Sequence, residues 1–519
     1  MDLQLYDTTL RDGTQRRGLS LSCEDKLKIA RLLENFGIPY IEGGWPGSNP
    51  KDAEFFRRVS LSRSKVVAFG STRRAGVGVE QDANLKALLE AKTPAVALVG
   101  KSWSLHVERV LETTREENLA MIAQSVRFMK QNGKEVVYDA EHFFDGWRAD
   151  ADYALETLRA AAAAGADWIV LCDTNGGALP GAVAEAVAGA RRAVSVPLGI
   201  HTHNDAELAV ANALAAVEAG ATMIQGTING YGERCGNANL VSIIPTLQLK
   251  MGRRVVADDR LAHLAELSRT VSEIANMSPD PHAPYVGAAA FAHKGGIHVA
   301  AVEKITASYE HVPPERVGNR RQIVVSELAG RGNVRVRAAE LGLALGGNEK
   351  AILDRIKELE NRGFQFEGAE GSFELMVRRT EAGYAAPFTV QDVMVVVERR
   401  NGTGMLAEAT VKVRVGEELF HTAAEGDGPV HALDRALRKA LLPRYPELGQ
   451  VRLADYKVRI LDPEQATDAT TRVLIEAACG EERWSTVGCS QNIIEASTQA
   501  LTDSLELFLL RRRGAKLGV

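Results

Sequence analysis

Cysteine is scarce. Its five copies in 519 residues, Cys23, Cys172, Cys235, Cys479 and Cys489, form neither a CxxC pair nor an even framework. That excludes a disulfide scaffold and a structural zinc ribbon, and points to a reducing, cytoplasmic compartment. Aromatic residues are few, at 6%, and abundant alanine favours helix-rich, tightly layered packing instead. Neither sign of charge dominates: 62 Lys and Arg against 67 Asp and Glu leave −5. A polybasic nucleic-acid binder and an acidic disordered chain are thereby excluded. No uncharged apolar run reaches the roughly 18 residues of a membrane-spanning helix, so no membrane partner is expected. The stretch MDLQLYDTTLRDG is charged at once, so no secretory signal is expected. No GxGxxG follows the first strand-like run, which removes support for an open doubly wound sheet.

What is present is a regular alternation. Short apolar runs at 3–7, 40–44, 65–69, 95–99, 135–139, 168–172, 198–203 and 223–227 read as strands. Between them lie amphipathic stretches such as CEDKLKIARLLENFG, NPKDAEFFRRV, REENLAMIAQSVRFMKQNG and DAELAVANALAAVEAG. Alternation of this kind implies a parallel sheet, and eight units in about 250 residues imply a closed (β/α)₈ barrel, a TIM barrel. AAAAGADWIVL and AAVEAGATMIQG echo one helix–turn–strand unit.

Past residue 251 the alternation stops. The expected division is a barrel over 1–258, a helical linker region over 259–390, and a C-terminal α+β domain over 391–519. In the last, DVMVVVERR, ATVKVRVG and ELFHTAA precede a helix, and YKVRILD, TRVLIEAACG and ERWSTVG precede another. This reads as a duplicated βββα unit, suited to binding and symmetry more than to chemistry.

Barrel active sites are built at the C-terminal ends of the strands. Polar residues collect there: Asp7 to Gly13, Asp139 to His142, Asp173 to Asn175, His201 to Asp205, and Gly230 to Asn237. Several, Asp173 and Asn204 among them, are expected to be loop polars and helix caps. His201 and His203 stand two apart, so both imidazoles project from one face of a strand end, about 6.5–7 Å apart at Cα. With Asp12, one residue past the first strand, as the anionic ligand and Asn237 as a neutral oxygen, they form a candidate site for a catalytic divalent ion. His142 stands either behind that site or as a structural residue. Arg11 beside a metal-bound carbonyl would stabilise negative charge developing on oxygen, or would pair with a rim carboxylate such as Glu141. Thr174 offers a hydroxyl to a substrate carboxylate or serves as a helix cap. Glycines in NGYGERCGNAN allow close backbone approach. Cys235 has no dedicated base nearby and reads as packing.

LYDTTLRDGTQ, HTHND and GTINGYGERCGNANL resemble the group of 2-isopropylmalate, homocitrate and citramalate synthases, over nearly the whole chain. YIEGGWPGSNPKDAEFF, FGSTRR, GKSWSLHV and DAEHFFDGW look like its citramalate-forming members. The resemblance implies a metal-dependent Claisen-type condensation of acetyl-CoA with pyruvate, giving (R)-citramalate and CoA, within isoleucine biosynthesis. It implies Asp12, His201, His203 and Asn237 as ligands of a divalent ion (Zn, Mn or Mg), Arg11 facing the keto acid, and Thr174 contacting its carboxylate. Glu141 matches a carboxylate near the acetyl group, and His298 and Tyr309 match a pair reaching a partner subunit's site. The C-terminal domain implies a homodimer with an amino-acid effector, isoleucine. Pyruvate against 2-ketoisovalerate or 2-ketoglutarate as acceptor, and Glu141 against a group linked to His298 as base, stay open. A catalytically silent amino-acid-binding protein is the alternative of another class.

Overall fold

The computed structural model describes residues 3–400 and 404–517. Eight strands, β1 (Gln4–Asp7), β2 (Tyr40–Gly44), β3 (Lys65–Ser71), β4 (Ala95–Lys101), β5 (Glu135–Glu141), β6 (Trp168–Asp173), β7 (Leu198–Thr202) and β8 (Met223–Gly226), form a closed barrel in chain order. β1 pairs in parallel with both β2 and β8, Tyr6 standing opposite Tyr40 and Gln225, which closes the ring. The strands read as near-continuous apolar runs because both of their faces are covered. Tyr6, Val67, Phe69, Val137, Val170 and Met223 fill the interior, while Leu5, Ile41, Val96, Tyr138, Leu171 and Ile200 pack outward against the helices. The side-chain period of two sorts them.

The helices carry their own start and stop signals. Ser22 and Asp25 form a reciprocal capping box at the first turn of Cys23–Phe36, and Gly37 ends that helix at φ 106°. Such a cap contributes roughly 1 kcal/mol, and the left-handed stop is open to glycine without strain. All eight strands expected from the periodicity are present. β1 stops at Asp7, however, so Asp12 stands in the turn after the strand and not one residue past it.

Two compact units make up the chain. One holds the residues up to Phe291 together with Val312–Arg320; the other holds Ala292–His311 and Arg321 onward. Residues 259–390 thus divide between them. They are helical as expected, with the addition of a two-residue parallel pair, β9 (Ala292–His293) and β10 (Gln322–Ile323).

In the second unit, β11 (Thr389–Arg400), β12 (Gly404–Val415) and β13 (Glu418–Gly426) form an antiparallel meander, followed by the helix Pro429–Leu441. β14 (Arg452–Ile460), β15 (Thr471–Cys479) and β16 (Glu482–Ser490) repeat the pattern before the helix Ile493–Leu517. The duplication expected from the sequence is therefore present. Ala409, Val411 and Val413 of β12 face Leu433, Ala436 and Leu437 of the first helix in one core. Met394, Val396, Met405, Leu453 and Ile460 are large apolar residues left exposed on the two sheets.

Candidate active site

A cavity of about 590 Å³ opens at the C-terminal rim of the barrel, with Arg11, Asp12, Glu141, Thr174, His201 and His203 in its lining. Asp12 and Arg11 reach it from a tight turn folded back on β1: the amides of Arg11 and Gly13 donate to the Thr8 carbonyl at 3.1 and 3.0 Å. Thr9 secures that turn, its hydroxyl donating to Asp7 and accepting from the Ile228 amide beyond β8. Asn237 arrives from the loop after β8. Residues 236–238 zip onto the end of β7, with Asn204 N–H on the Gly236 carbonyl at 2.8 Å and Ala238 N–H on the Thr202 carbonyl at 2.9 Å. Gly236 sits at φ 100°, and a Cβ there would meet the Gly230 carbonyl oxygen at 2.1 Å, so no other residue fits this approach.

Asp12, His201 and His203 converge. Their ligand atoms lie within 4.8 Å of one another, and all three side chains are buried. His201 Nε2 is 3.3 Å from Asp12 Oδ2 and 3.3 Å from His203 Nε2. Burial works against ionised Asp12, but Arg11 and then His201 hold its carboxyl well below the usual carboxylate range. Burial and the neighbouring His201 push His203 down to about 4. For His201, burial opposes protonation, yet the Asp12 carboxylate raises it above an ordinary imidazole.

These groups fit a divalent cation on several counts. His201 Nδ1 is 2.8 Å from Gln225 Oε1, and Gln225 Nε2 donates to Asp139 Oδ1 at 3.0 Å. With the amide so fixed, Nδ1 carries the proton and the Nε2 lone pair points at Asp12 and His203, as metal-ligating imidazoles require. Two nitrogens at 3.3 Å can share one proton at most, whereas one cation takes both lone pairs. His203 Nδ1 and Asn237 Oδ1 are buried without partners. Asn237 faces Asp12 with its nitrogen, Nδ2 donating to Oδ2 at 2.7 Å, so it would ligate through oxygen only with the amide turned over.

Arg11 does not pair with Glu141. Its Nε donates to Glu42 Oε1 at 2.5 Å, its Nη1 lies 3.4 Å from Asp12, and its guanidinium rests on Phe69 at 3.9 Å. Tyr6 OH donates to the other oxygen of Glu42 at 2.6 Å. Burial works against the Arg11 charge, and Glu42 with Asp12 more than offsets it, raising its pKa. Glu141 pairs instead with Lys101. The Thr174 hydroxyl accepts from the His142 amide at 2.9 Å and is no helix cap, the next helix beginning at Pro180. The His142 ring packs at a tilt against His106, centroids 4.0 Å apart, beside Trp103. Asp173 and Asn204 accept from the amides of Ala178 and Ala209, as loop polars do. Cys235 is exposed.

His298 and Tyr309 belong to the second unit, where both are exposed and their rings stack at 4.2 Å. Sequence reasoning missed Glu42, Gln225, Asp139 as a partner of Gln225, and Lys101. Three of them carry a signal in the sequence: YIEGG, MIQGT and VVYDAE each set a polar residue within an apolar strand, where an unpaired group is costly.

Comparison with known proteins places these features in a family. Residues 2–271 match the HMGL-like family model, 285–363 the homocitrate synthase post-HMGL domain-like model, and 367–509 the LeuA allosteric (dimerisation) domain. An (R)-citramalate synthase of Geobacter sulfurreducens is 53% identical over 511 residues, spanning 97% of each chain. One of Synechocystis sp. is 53% identical over 522 residues, covering 97% of this chain and 95% of that protein. A 2-isopropylmalate synthase of Methanocaldococcus jannaschii is 30% identical over 513 residues, covering 98% and 95%. With matches of that extent across barrel, linker and C-terminal domain, the chain belongs to the citramalate synthase family, within the group that also holds the 2-isopropylmalate synthases.

Proposed function

We propose that this chain condenses acetyl-CoA with pyruvate and hydrolyses the product thioester, releasing (R)-citramalate and CoA. The observation that carries this is the convergence of Asp12, His201 and His203 beside Arg11 in one cavity, in a chain 53% identical to curated (R)-citramalate synthases. A divalent cation held by Asp12, His201 and His203, with Asn237 added through its oxygen, would bind and polarise the keto acid's carbonyl. The two imidazoles suit zinc, whereas manganese or magnesium would lean on the oxygens of Asp12 and Asn237.

The chain's own groups divide the remaining work. Arg11, fixed from behind by Glu42 and Phe69, stabilises the negative charge that forms on the carbonyl oxygen. Thr174 keeps its hydroxyl proton for the substrate carboxylate, since its oxygen already accepts from His142. A base takes a proton from the acetyl methyl group, and the resulting enolate carbon bonds to the keto carbon. Glu141, in the lining of the same cavity, is the candidate carboxylate for that role; a water or hydroxyl joined to His298 is the alternative. Water then cleaves the thioester, leaving a carboxylate and the thiol of CoA.

His298 and Tyr309, exposed and stacked on each other, are assigned to a partner subunit's site in a homodimer. The exposed apolar residues of the two C-terminal sheets support such pairing, and that domain, over 391–519, would take isoleucine as effector. All five cysteines are unpaired, which supports a reducing, cytoplasmic compartment. Incubation with acetyl-CoA and pyruvate tests the proposal. One citramalate is expected per thiol released, and full turnover in excess chelator would overturn the metal assignment.

A further inference from the structure

GKSWSLHV and DAEHFFDGW meet at one point of the barrel rim. β4 and β5 end in register with Lys101 opposite Glu141. Lys101 Nζ pairs with Glu141 Oε2, both residues line the cavity, and their side chains are 22% and 24% exposed. Among the described residues Lys101 is the one cation paired with this carboxylate.

The backbone around the pair is fixed on both sides. Asn118 Nδ2 donates to the Lys101 carbonyl at 2.9 Å, and Ser102 N–H donates to the Glu141 carbonyl at 3.1 Å. His142, directly after Glu141, is held left-handed at φ 57°, an uncommon conformation for a non-glycine residue. Its ring is packed by His106 and Trp103, and its amide is bound to Thr174. The chain thus sets where Glu141 leaves the strand, while the orientation of its carboxylate falls to Lys101. An ammonium is a point charge with three donors. Engaging Oε2 leaves Oε1 to the cavity.

We propose that Lys101 is a positioning residue for the condensation, holding the Glu141 carboxylate so that one oxygen is directed at the acetyl group. This rests on the function proposed above, and it assigns the proton-accepting role to Glu141. Lys101→Met removes the charge at similar length, and kcat should fall roughly 10-fold to 100-fold, the lower range of a general base's contribution. KM for pyruvate should stay within about threefold, because Arg11, Thr174 and the Asp12–His201–His203 cluster are untouched. Lys101→Arg should recover most of kcat.

A double-mutant cycle with Glu141→Gln separates positioning from general damage. If Lys101 acts only through Glu141, adding Lys101→Met to Glu141→Gln costs nothing further. The double variant leaves no unpaired carboxylate, so it also serves as the folding control. Wild-type kcat in Lys101→Met, or multiplicative losses in the double variant, would overturn the proposal. Wild-type protein runs in the same assay: thiol release from it with pyruvate while Lys101→Met is unimpaired refutes Lys101 alone. A wild type inert toward every keto acid refutes the condensation itself, and Lys101's part with it.

Discussion

The Nε2 atoms of His201 and His203 lie 3.3 Å apart, and the nearer oxygen of Asp12 is 3.3 Å from the first and 3.9 Å from the second. Three donor atoms so disposed, with one imidazole tautomer fixed from behind by Gln225, are arranged for a cation more than for one another. His203→Ala should therefore lose its metal and turnover while keeping its fold, because His203 Nδ1 has no protein partner to orphan. Metal content after dialysis, read beside the far-UV spectrum, checks this. Loss of folded protein would point to a packing role. Gln225→Leu keeps all three donors and should weaken metal binding by roughly 10-fold to 100-fold.

Glu42 should matter to the chemistry although it is wholly buried behind Arg11. Glu42→Gln keeps the shape and removes the charge that fixes the guanidinium on Phe69. The expected loss in kcat is roughly 10-fold to 100-fold, the usual consequence of a misplaced catalytic group. Glu42→Leu should also lower stability by about 3 kcal/mol, since a buried charge then loses a partner. Steady-state kinetics and denaturant unfolding separate the two effects, and unchanged kcat in Glu42→Gln would contradict the role given to Arg11.

Acid should loosen the C-terminal fold through Glu374. Burial would raise this carboxyl, but Arg511 and then Arg378 hold it below the ordinary glutamate value. The nearest contacts are Arg511 Nη2 at 2.5 Å and Arg378 Nε at 2.8 Å. A depressed pKa stabilises the fold above the unfolded value, about 4.3, and that stability drains away as pH falls through the folded one. Protection of the Glu370–Arg378 amides from hydrogen exchange, relative to the unfolded chain at the same pH, should fall below about pH 4.3. Arg511→Met should remove about 2 kcal/mol at neutral pH and flatten the acid dependence. Identical acid profiles in the two proteins would count against the assignment.

Regulation by the C-terminal duplication predicts that isoleucine lowers the rate of CoA release, with leucine weaker. Titration of both into the full-length protein checks this. No response to either would leave the duplication a dimerisation element alone.

Much of this was legible in the sequence because its physics is local. Strand periodicity and turn residues placed all eight barrel strands and the duplicated βββα unit, and the i, i+2 spacing placed His201 and His203 on one strand face. The partners that complete the site were not legible, because they are set by strand order and barrel closure. Glu42 meets Arg11, Gln225 meets His201, and Lys101 meets Glu141 only once the ring is closed and in register. Sequence left Glu141 as a partner for Arg11, whereas the fold brings it Lys101. The unit boundaries, with 312–320 grouped apart from the residues around them, depend on contacts no local pattern encodes.

The most direct test of the central claim is kcat/KM for thiol release from acetyl-CoA with pyruvate, 2-ketoisovalerate and 2-ketoglutarate in parallel, with and without chelator. Pyruvate should be preferred, and chelator should abolish the reaction until metal is restored. An added methylene changes selectivity by only about 1–3 kcal/mol, so the neighbouring substrates are the informative ones. A preference for 2-ketoisovalerate, or turnover indifferent to chelator, would contradict the account.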